Sequence, residues 1–207
     1  MTQSRGLMPA VGLLGVVGLL VFGDIAVRTG RAQSQGGAPR AVVAQEFRLI
    51  DATGNPRAVL GMSADGGPAL IFRDKQGRNR AAISVAEDQS SLALLDAEGH
   101  TRVRITLQDD GAAGIALHDK KQKLRAALRL KADGTPNLSF NDSDGKSRAG
   151  IETQPDGSPL LSLSNKDETG GAVMFVLPNG DTRAIFKDKD GKVTWIAPEP
   201  EIEIKKQ

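Results

Sequence analysis

Two histidines, His100 and His118, are the only side chains of the 207-residue chain that ordinarily titrate near neutral pH, and the chain has no cysteine. A nucleophile–base pair or a histidine-ligated metal site needs several such groups held together. With so few to draw on, both histidines are interpreted as ordinary polar positions. The sequence predicts no catalytic residue, no cofactor and no metal ligand.

Acidic residues are plentiful, and pairs such as Asp188 and Asp190 superficially resemble a calcium loop. An EF-hand needs oxygen ligands at positions 1, 3 and 5, glycine at position 6 and glutamate at position 12. With Gly191 in the sixth position, Phe186 falls in the first and Ala197 in the twelfth, and neither has a side-chain oxygen. The calcium-loop interpretation therefore fails.

The acids also recur at regular intervals, whereas a glycosidase needs two carboxylates fixed across one cleft. Aromatic residues make up only 3% of the chain, so platforms for stacking a sugar are scarce. We therefore predict a protein that is not an enzyme, and an enzyme of unrecognised type ranks last among three functional hypotheses.

One set of arginines recurs once per repeat and has no evident role in a turn. The set is Arg57, Arg80, Arg102, Arg125 and Arg148. At two strands per repeat, successive arginines would lie about 9–10 Å apart along a sheet. They could form a ladder of arginine–aspartate contacts across hairpins. They could also form a surface stripe that binds an anionic polymer or a lipid surface. The acidic residues that accompany each arginine favour the ladder.

The regular spacing arises because a repeat of about 23 residues runs seven times from Phe47 to Trp195. In each repeat an acidic or amide residue ends an apolar run, and a second marker, usually glycine, follows three positions later. The first position is held by Asp51, Asp74, Asp96, Asp119, Asp142, Asn165 and Asp188, and the second by Gly54, Gly77, Gly99, Gln122, Gly145, Glu168 and Gly191. A fixed period means that one supersecondary unit is copied along the chain.

Each repeat predicts two strands, because apolar residues alternate both before the aspartate and after the arginine. Asp-x-x-Gly and the later Asp-Gly or Asn-Gly pairs are typical of short hairpin turns, and such links are too short to connect parallel strands. The prediction is an all-β tandem hairpin repeat, an antiparallel meander of about 14 strands. We expect it to be curled into a sheet or roll, or to be solenoid-like, and to follow one N-terminal apolar helix.

The two faces of this sheet differ in chemistry. One carries columns of Leu, Ile, Phe and Met, and the other carries the arginines with small or mixed residues. A flat sheet would leave the first face in water, which soluble proteins avoid. Four solutions stay open: a roll or barrel, a sandwich, a solenoid, or packing against another copy.

The N-terminal segment from Leu7 to Phe22 is almost unbroken apolar sequence and can extend to Val27. A helix needs about 20 residues to span a bilayer, so this segment is long enough to serve as an uncleaved anchor. The alternative is a signal peptide with cleavage near Gly30 to Ala32. The anchor is the favoured interpretation.

Four segments follow from these patterns. Residues 1–27 are a transmembrane anchor or signal sequence, residues 28–45 a flexible linker, residues 46–197 the seven-unit β-repeat domain, and residues 198–207 a charged tail. The only tryptophan lies in the last repeat, as expected of a cap over an exposed end.

The net charge of +2 is too balanced to suggest nucleic acid as a partner. Arg28, Arg31 and Arg40 follow the apolar segment, and the positive-inside tendency would keep them in the cytoplasm. A single apolar segment at the very N-terminus is nevertheless typical of chains whose remainder is exported. We expect a membrane-anchored protein with its repeat domain outside the cytoplasm, in the periplasm or at the cell surface.

By period and hairpin logic the chain is similar to membrane-occupation-and-recognition-nexus repeats, although it lacks their aromatic and glycine signature. It more closely resembles uncharacterised bacterial exported proteins with tandem units of the form Leu-x-Asp-x-x-Gly-x-x-Arg-Ala-x-Leu. The stretch from Phe47 to Met62 carries this pattern best, and the resemblance covers residues 46 to about 197. It implies a β-rich extracytoplasmic module without a known activity.

The leading hypothesis is a non-catalytic, membrane-anchored scaffold or interaction protein of the bacterial cell envelope. Its partners would be the membrane, through residues 7–27, and a protein partner or further copies of itself. The alternative is a self-assembling stalk or filament subunit that shares its apolar face between chains.

Overall fold

The alternating segments fold into fourteen strands in a computed structural model that describes residues 41–198. The strands are β1 (Phe47–Ile50), β2 (Pro56–Met62), β3 (Pro68–Arg73), β4 (Asn79–Val85), β5 (Gln89–Leu95), β6 (Thr101–Gln108), β7 (Ala113–His118), β8 (Leu124–Leu130), β9 (Pro136–Asn141), β10 (Ser147–Thr153), β11 (Pro159–Ser164), β12 (Gly171–Val176), β13 (Thr182–Lys187) and β14 (Val193–Ala197). They form one antiparallel sheet in sequence order, as the hairpin turns predict.

The sheet is a single open layer. Each strand contacts only the strands that precede and follow it in the chain, and β1 and β14 each have one neighbour. Among the ways in which the sheet could cover its apolar face, the described residues therefore show neither a closed barrel nor a second layer.

The first turn of each repeat is fixed by the aspartate, or in repeat six the asparagine, that follows the first strand. The N–H of Asp51 donates to the carbonyl oxygen of Asn55 at 2.9 Å, and the N–H of Gly54 donates to the carbonyl oxygen of Asp51 at 3.0 Å. The Asp51 carboxylate accepts the N–H groups of Thr53 and Asn55, each at 3.0 Å. Aspartate thus replaces backbone partners in the turn, which is why it recurs there.

Glycine recurs in these turns because the chain passes through the left-handed region. Gly54 has φ 86°, and two repeats place larger residues at the same position, Gln122 with φ 62° and Glu168 with φ 61°. An L-residue with a side chain is disfavoured in this conformation.

The second turn of each repeat uses the same backbone pattern, as between Ser63 and Gly67. One turn is shorter: the N–H of Ala86 donates to the carbonyl oxygen of Gln89 at 2.8 Å. This is where the repeat of 22 rather than 23 residues loses its position. The change falls in a turn, so the strands on either side keep their alternation.

Strand register aligns the alternating residues into continuous rows. The face that we call the apolar face carries two of them. The first apolar row is Phe47, Leu60, Leu70, Ile83, Leu92, Ile105, Ile115, Leu128, Leu138, Ile151, Leu161, Met174, Ala184 and Ala197. The second apolar row is Leu49, Ala58, Phe72, Ala81, Leu94, Val103, Leu117, Ala126, Phe140, Ala149, Leu163, Ala172, Phe186 and Trp195.

The opposite face, which we call the arginine face, carries the repeated arginines and most of the small residues. Its central row is Arg48, Val59, Ile71, Ala82, Ala93, Arg104, Ala116, Ala127, Ser139, Gly150, Ser162, Val173, Ile185 and Ile196.

Within one copy of the chain the buried residues lie on the arginine face, and the large apolar columns lie on the exposed side. The buried apolar residues are Val59, Ala69, Ile71, Ala93, Leu95 and Ala127. Short side chains on this face lie beneath longer neighbours: a Cβ built on Gly114 would be 3.4 Å from Cγ of Arg129. On the apolar face nothing in the sheet lies above the large side chains.

The predicted N-terminal apolar helix and most of the linker lie outside the described residues, as does most of the charged tail. Among residues 41–198 the structure contains no candidate for a membrane-spanning helix.

Candidate functional site

The five repeated arginines lie in one line on the arginine face, and each is held by its own repeat and by the next. Arg125 is representative. Its Nη1 lies 3.4 Å from Oδ2 of Asp119, in the first turn of the same repeat. Its Nε donates to the carbonyl oxygen of Asn141, at the end of β9 in the following repeat, at 2.9 Å.

The other four arginines also donate to backbone carbonyl oxygens, either at the end of the next repeat's first strand or one residue beyond it. Arg80 donates from Nε to the carbonyl oxygen of Leu95 at 3.0 Å, and Arg102 to that of His118 at 2.7 Å. Nη1 of Arg57 donates to the carbonyl oxygen of Asp74, and Nη1 of Arg148 to that of Asn165. Each guanidinium therefore fastens one repeat to the next.

Each of these arginines also pairs with the aspartate six positions before it. The pairs are Arg57 with Asp51, Arg80 with Asp74, Arg102 with Asp96, Arg125 with Asp119 and Arg148 with Asp142. Four of the N···O separations lie between 3.4 and 3.6 Å. Long, solvent-accessible ion pairs of this kind contribute little on their own, so the shorter bonds to carbonyl oxygens are the stronger link.

The turn carboxylates are stabilised in their charged form. Hydrogen bonds from the Thr53 hydroxyl and the Asn55 N–H lower the pKa of Asp51 to about 2. For Asp119, the N–H of Lys123 is the main cause of a lowered pKa, with Arg125 adding to it. At neutral pH these groups are therefore anions that hold a turn and balance the neighbouring arginine.

Repeat six breaks the pattern in two places at once. Asn165 replaces the aspartate, and Gly171 stands where the arginine would be. A Cβ on Gly171 would lie 1.9 Å from the carbonyl oxygen of Leu163, so the backbones approach too closely for a side chain. In place of an arginine, the Thr169 hydroxyl donates to the carbonyl oxygen of Lys189 in repeat seven. Repeat six therefore lacks both the carboxylate and the guanidinium.

Two arginines that the sequence analysis did not single out, Arg104 on β6 and Arg129 on β8, also lie on the arginine face. Neither forms an ion pair within residues 41–198. They fall outside the repeat motif, so only the strand alternation could have placed them beside the repeated arginines.

The two histidines are not brought together. Nδ1 of His100 lies 3.7 Å from Oδ2 of Asp96 in a turn, whereas His118 ends β7 on the arginine face. Partial burial, and then the charge of Arg104, lower the pKa of His118, which keeps it neutral at pH 7. Among the described residues no three His, Asp or Glu side chains are grouped so that they could hold a metal ion.

The apolar face is the other candidate surface, and it is open to solvent along its whole length. Leu94, Leu117, Leu128 and Phe140 are each between 43% and 50% exposed. Strands of about six residues and thirteen steps of about 4.8 Å give this face an area of roughly 1,200 Å². Monomeric proteins rarely expose contiguous apolar patches larger than a few hundred Å².

The comparisons with known proteins leave function open. No protein-family model matches the chain, and no curated protein is significantly similar to it. Among solved structures, a mutant of TarM from S. aureus, crystallised with fondaparinux, alpha-GlcNAc-glycerol and UDP, is 12% identical with a TM-score of 0.22. The match covers 61% of this chain and 21% of that chain. A likeness at this level carries no argument about fold or function.

Proposed function

We propose that the chain is a non-catalytic β-repeat scaffold or interaction protein of the bacterial cell envelope, anchored in the membrane by residues 7–27. The apolar face is the surface through which it binds another protein. One observation carries this proposal: large apolar side chains line one face of a single-layer sheet from its first strand to its last.

The size of this face supports an interface rather than incidental exposure. A stable protein–protein interface of standard size buries about 800 Å² on each partner, and the apolar face exceeds this. Neither apolar row contains a charged side chain, and the centres of interfaces are likewise depleted in charge.

The arginine face has a different role in this proposal. Its five repeated guanidinium groups are engaged with carboxylates and carbonyl oxygens, which supports a structural ladder that keeps the repeats in register. A stripe for an anionic polymer would have to compete with those contacts. A gentle curl of the sheet, which the twist between adjacent strands favours, belongs to the same proposal.

The alternative function, a self-assembling stalk or filament subunit, uses the same apolar face and differs in the occupant. Both functions require that the face be covered in the native assembly. They are tested together by asking whether substitutions on that face change the size of the particle that contains the chain.

A matched pair of variants makes this test. Leu128 and Arg129 are neighbours on β8, lie on opposite faces and are both exposed. Leu128→Gln places a polar amide in the proposed interface, and Arg129→Gln places the same amide on the arginine face. The particle size is measured by native electrophoresis of the full chain, released from membranes in a mild non-ionic detergent.

The expected result is that the wild type and Arg129→Gln migrate as an assembly above the 21.8 kDa of one chain, while Leu128→Gln shifts toward it. Ile105→Gln and Ile151→Gln in the same row should strengthen the shift. Migration of the wild type as a single chain would contradict the proposal.

A further inference from the structure

The second apolar row alternates large and small side chains from strand to strand. Odd-numbered strands carry Leu or Phe, as at Leu94 on β5 and Leu117 on β7. Even-numbered strands carry alanine, as at Ala126 on β8 and Ala149 on β10. The two exceptions are Val103 on β6 and Trp195 on β14. Large side chains therefore stand about 9.6 Å apart with an alanine gap between them.

This alternation makes the row complementary to itself when a second copy faces it in reversed strand order. A two-fold axis parallel to the strands, between β7 and β8, places β1 against β14 and β5 against β10. Because the sheet has an even number of strands, every odd strand then meets an even one. Leu94 of one copy lies above the Ala149 gap of the other.

We propose that the apolar face packs against the same face of a second copy of this chain, with the strand order reversed. The inference rests on the proposed function, since it names the partner that covers the interface. The dimer is a two-layer sandwich with both arginine faces outward, where their charges stay in water.

Packing with the strand order kept is the competing arrangement of two copies. Each strand would then meet its own counterpart, so Leu94 would face the large side chains of β5 in the other copy. The alanine-bearing strands would meet each other and leave gaps. Well-packed interiors have few voids, and a gap forfeits contacts along its lining. The alternation therefore favours the reversed order.

The closed symmetry of this dimer has a consequence for assembly. The interface is isologous, because the same patch is used on both copies, and such an interface is complete with two chains. A filament would need a second, different contact. We therefore infer a dimer rather than the stalk or filament considered above.

Cysteine cross-linking of the full chain in the membranes of the expression host tests the arrangement directly, since the native chain has no cysteine. The variant Leu94→Cys/Ala149→Cys places two thiols five strands apart, about 24 Å, within one chain. In the proposed dimer the same positions face each other across about 10 Å. Each position lies about 12 Å from the axis, so an angle of about 30° between the two sheets would shift them sideways by about 6 Å, and thiols that point into the interface stay within reach of a cross-linker.

The reagent is a bis-maleimide with a reach of about 10 Å, matched to the spacing of packed sheets. We expect a covalent dimer on a denaturing gel as the main product of the double variant. Leu94→Cys alone and Ala149→Cys alone are the controls and should stay monomeric, because each residue lies far from its own counterpart in the other copy.

A dimer from Leu94→Cys alone would overturn the reversed order, because it requires β5 to face β5. No dimer from any variant would overturn the second copy as the partner. In that case, labelling of Leu94→Cys with a polar maleimide distinguishes failure of the dimer from failure of the proposed interface itself. Rapid labelling would leave the apolar face open for a different protein, whereas protection in a monomer would mean that the chain covers this face itself and would contradict the proposed function as well.

Discussion

Nε of Arg125 donates a hydrogen bond to the carbonyl oxygen of Asn141, in the next repeat, at 2.9 Å. Arg80 and Arg102 make the same Nε bond to the last residue of the next repeat's first strand. Arg57 and Arg148 donate from Nη1 to the residue that follows that strand. The strands within a hairpin are already joined by backbone pairing and a turn. The arginine adds a side-chain link between the second strand of one repeat and the end of the first strand of the next.

Replacing Arg125 by methionine should lower the free energy of unfolding by about 1 kcal/mol, because a charged donor to a half-exposed carbonyl is lost. Arg129→Met is the matched control, since Arg129 is on the same strand and face and forms no ion pair within the described sheet. Urea unfolding followed by circular dichroism measures both. Equal losses in the two variants would contradict the role assigned to Arg125.

Gln122 and Glu168 occupy the left-handed turn position that is glycine in the other five repeats. Gln122→Gly should therefore raise the free energy of unfolding by about 1 kcal/mol, because the strain of a side chain at φ 62° is removed. The reverse change, Gly99→Ala at φ 86°, should lower it by a similar amount. Thermal unfolding of both variants gives the sign of each change in stability. A Gln122→Gly variant less stable than the wild type would show that Gln122 is not strained.

The turn aspartates make stability depend on pH in a defined direction. The pKa of Asp51 is lowered to about 2 by the Thr53 hydroxyl and the Asn55 N–H, so its carboxylate stabilises the fold above the ordinary value near 4. That stabilisation is lost as the pH falls from about 4 to about 2. The midpoint of thermal unfolding should therefore fall across this window. Asp51→Asn should show a shallower fall, and an identical slope would contradict this assignment.

Repeat six should be unusually sensitive to small additions. A Cβ on Gly170 would lie 2.1 Å from the carbonyl oxygen of Asp188, so Gly170→Ala must displace the backbone just before β12 or just after β13. We expect a loss of about 2–3 kcal/mol, in the range of overpacking substitutions. Gly150→Ala is the control, because its nearest neighbour is the Ser162 hydroxyl at 3.2 Å and can rotate away. Equal losses of the free energy of unfolding in urea for the two variants would contradict the close approach of Gly170 to the Asp188 carbonyl.

Much of this architecture could be predicted from the sequence. Period-two alternation gives the strands, and Asp51-x-x-Gly54 gives the turn, because both depend on local chemistry. The antiparallel order follows from the length of the links alone. The repeated arginines could likewise be placed on one face, and their pairing with aspartates follows from their position in each repeat.

The sequence could not predict hydrogen-bond partners that do not depend on residue type. The main acceptor of Arg125 is a backbone carbonyl, which every residue has, so no motif marks Asn141. The alternation of apolar and polar residues also does not show which face of the sheet is covered. It gives the chemistry of each face but not what packs against it. Arg104 and Arg129 could not be predicted as part of the arginine face from the repeat motif, because they lie outside it.

The mass of the native full chain tests the central claim most directly. Native mass spectrometry of the protein released from membranes in a non-ionic detergent should give twice the 21.8 kDa of a single chain, and Leu128→Gln with Ile105→Gln should reduce it to one. A wild-type mass of 21.8 kDa, together with a Leu94→Cys thiol that resists labelling, would show that the apolar face is covered within one chain and would contradict an interface on it.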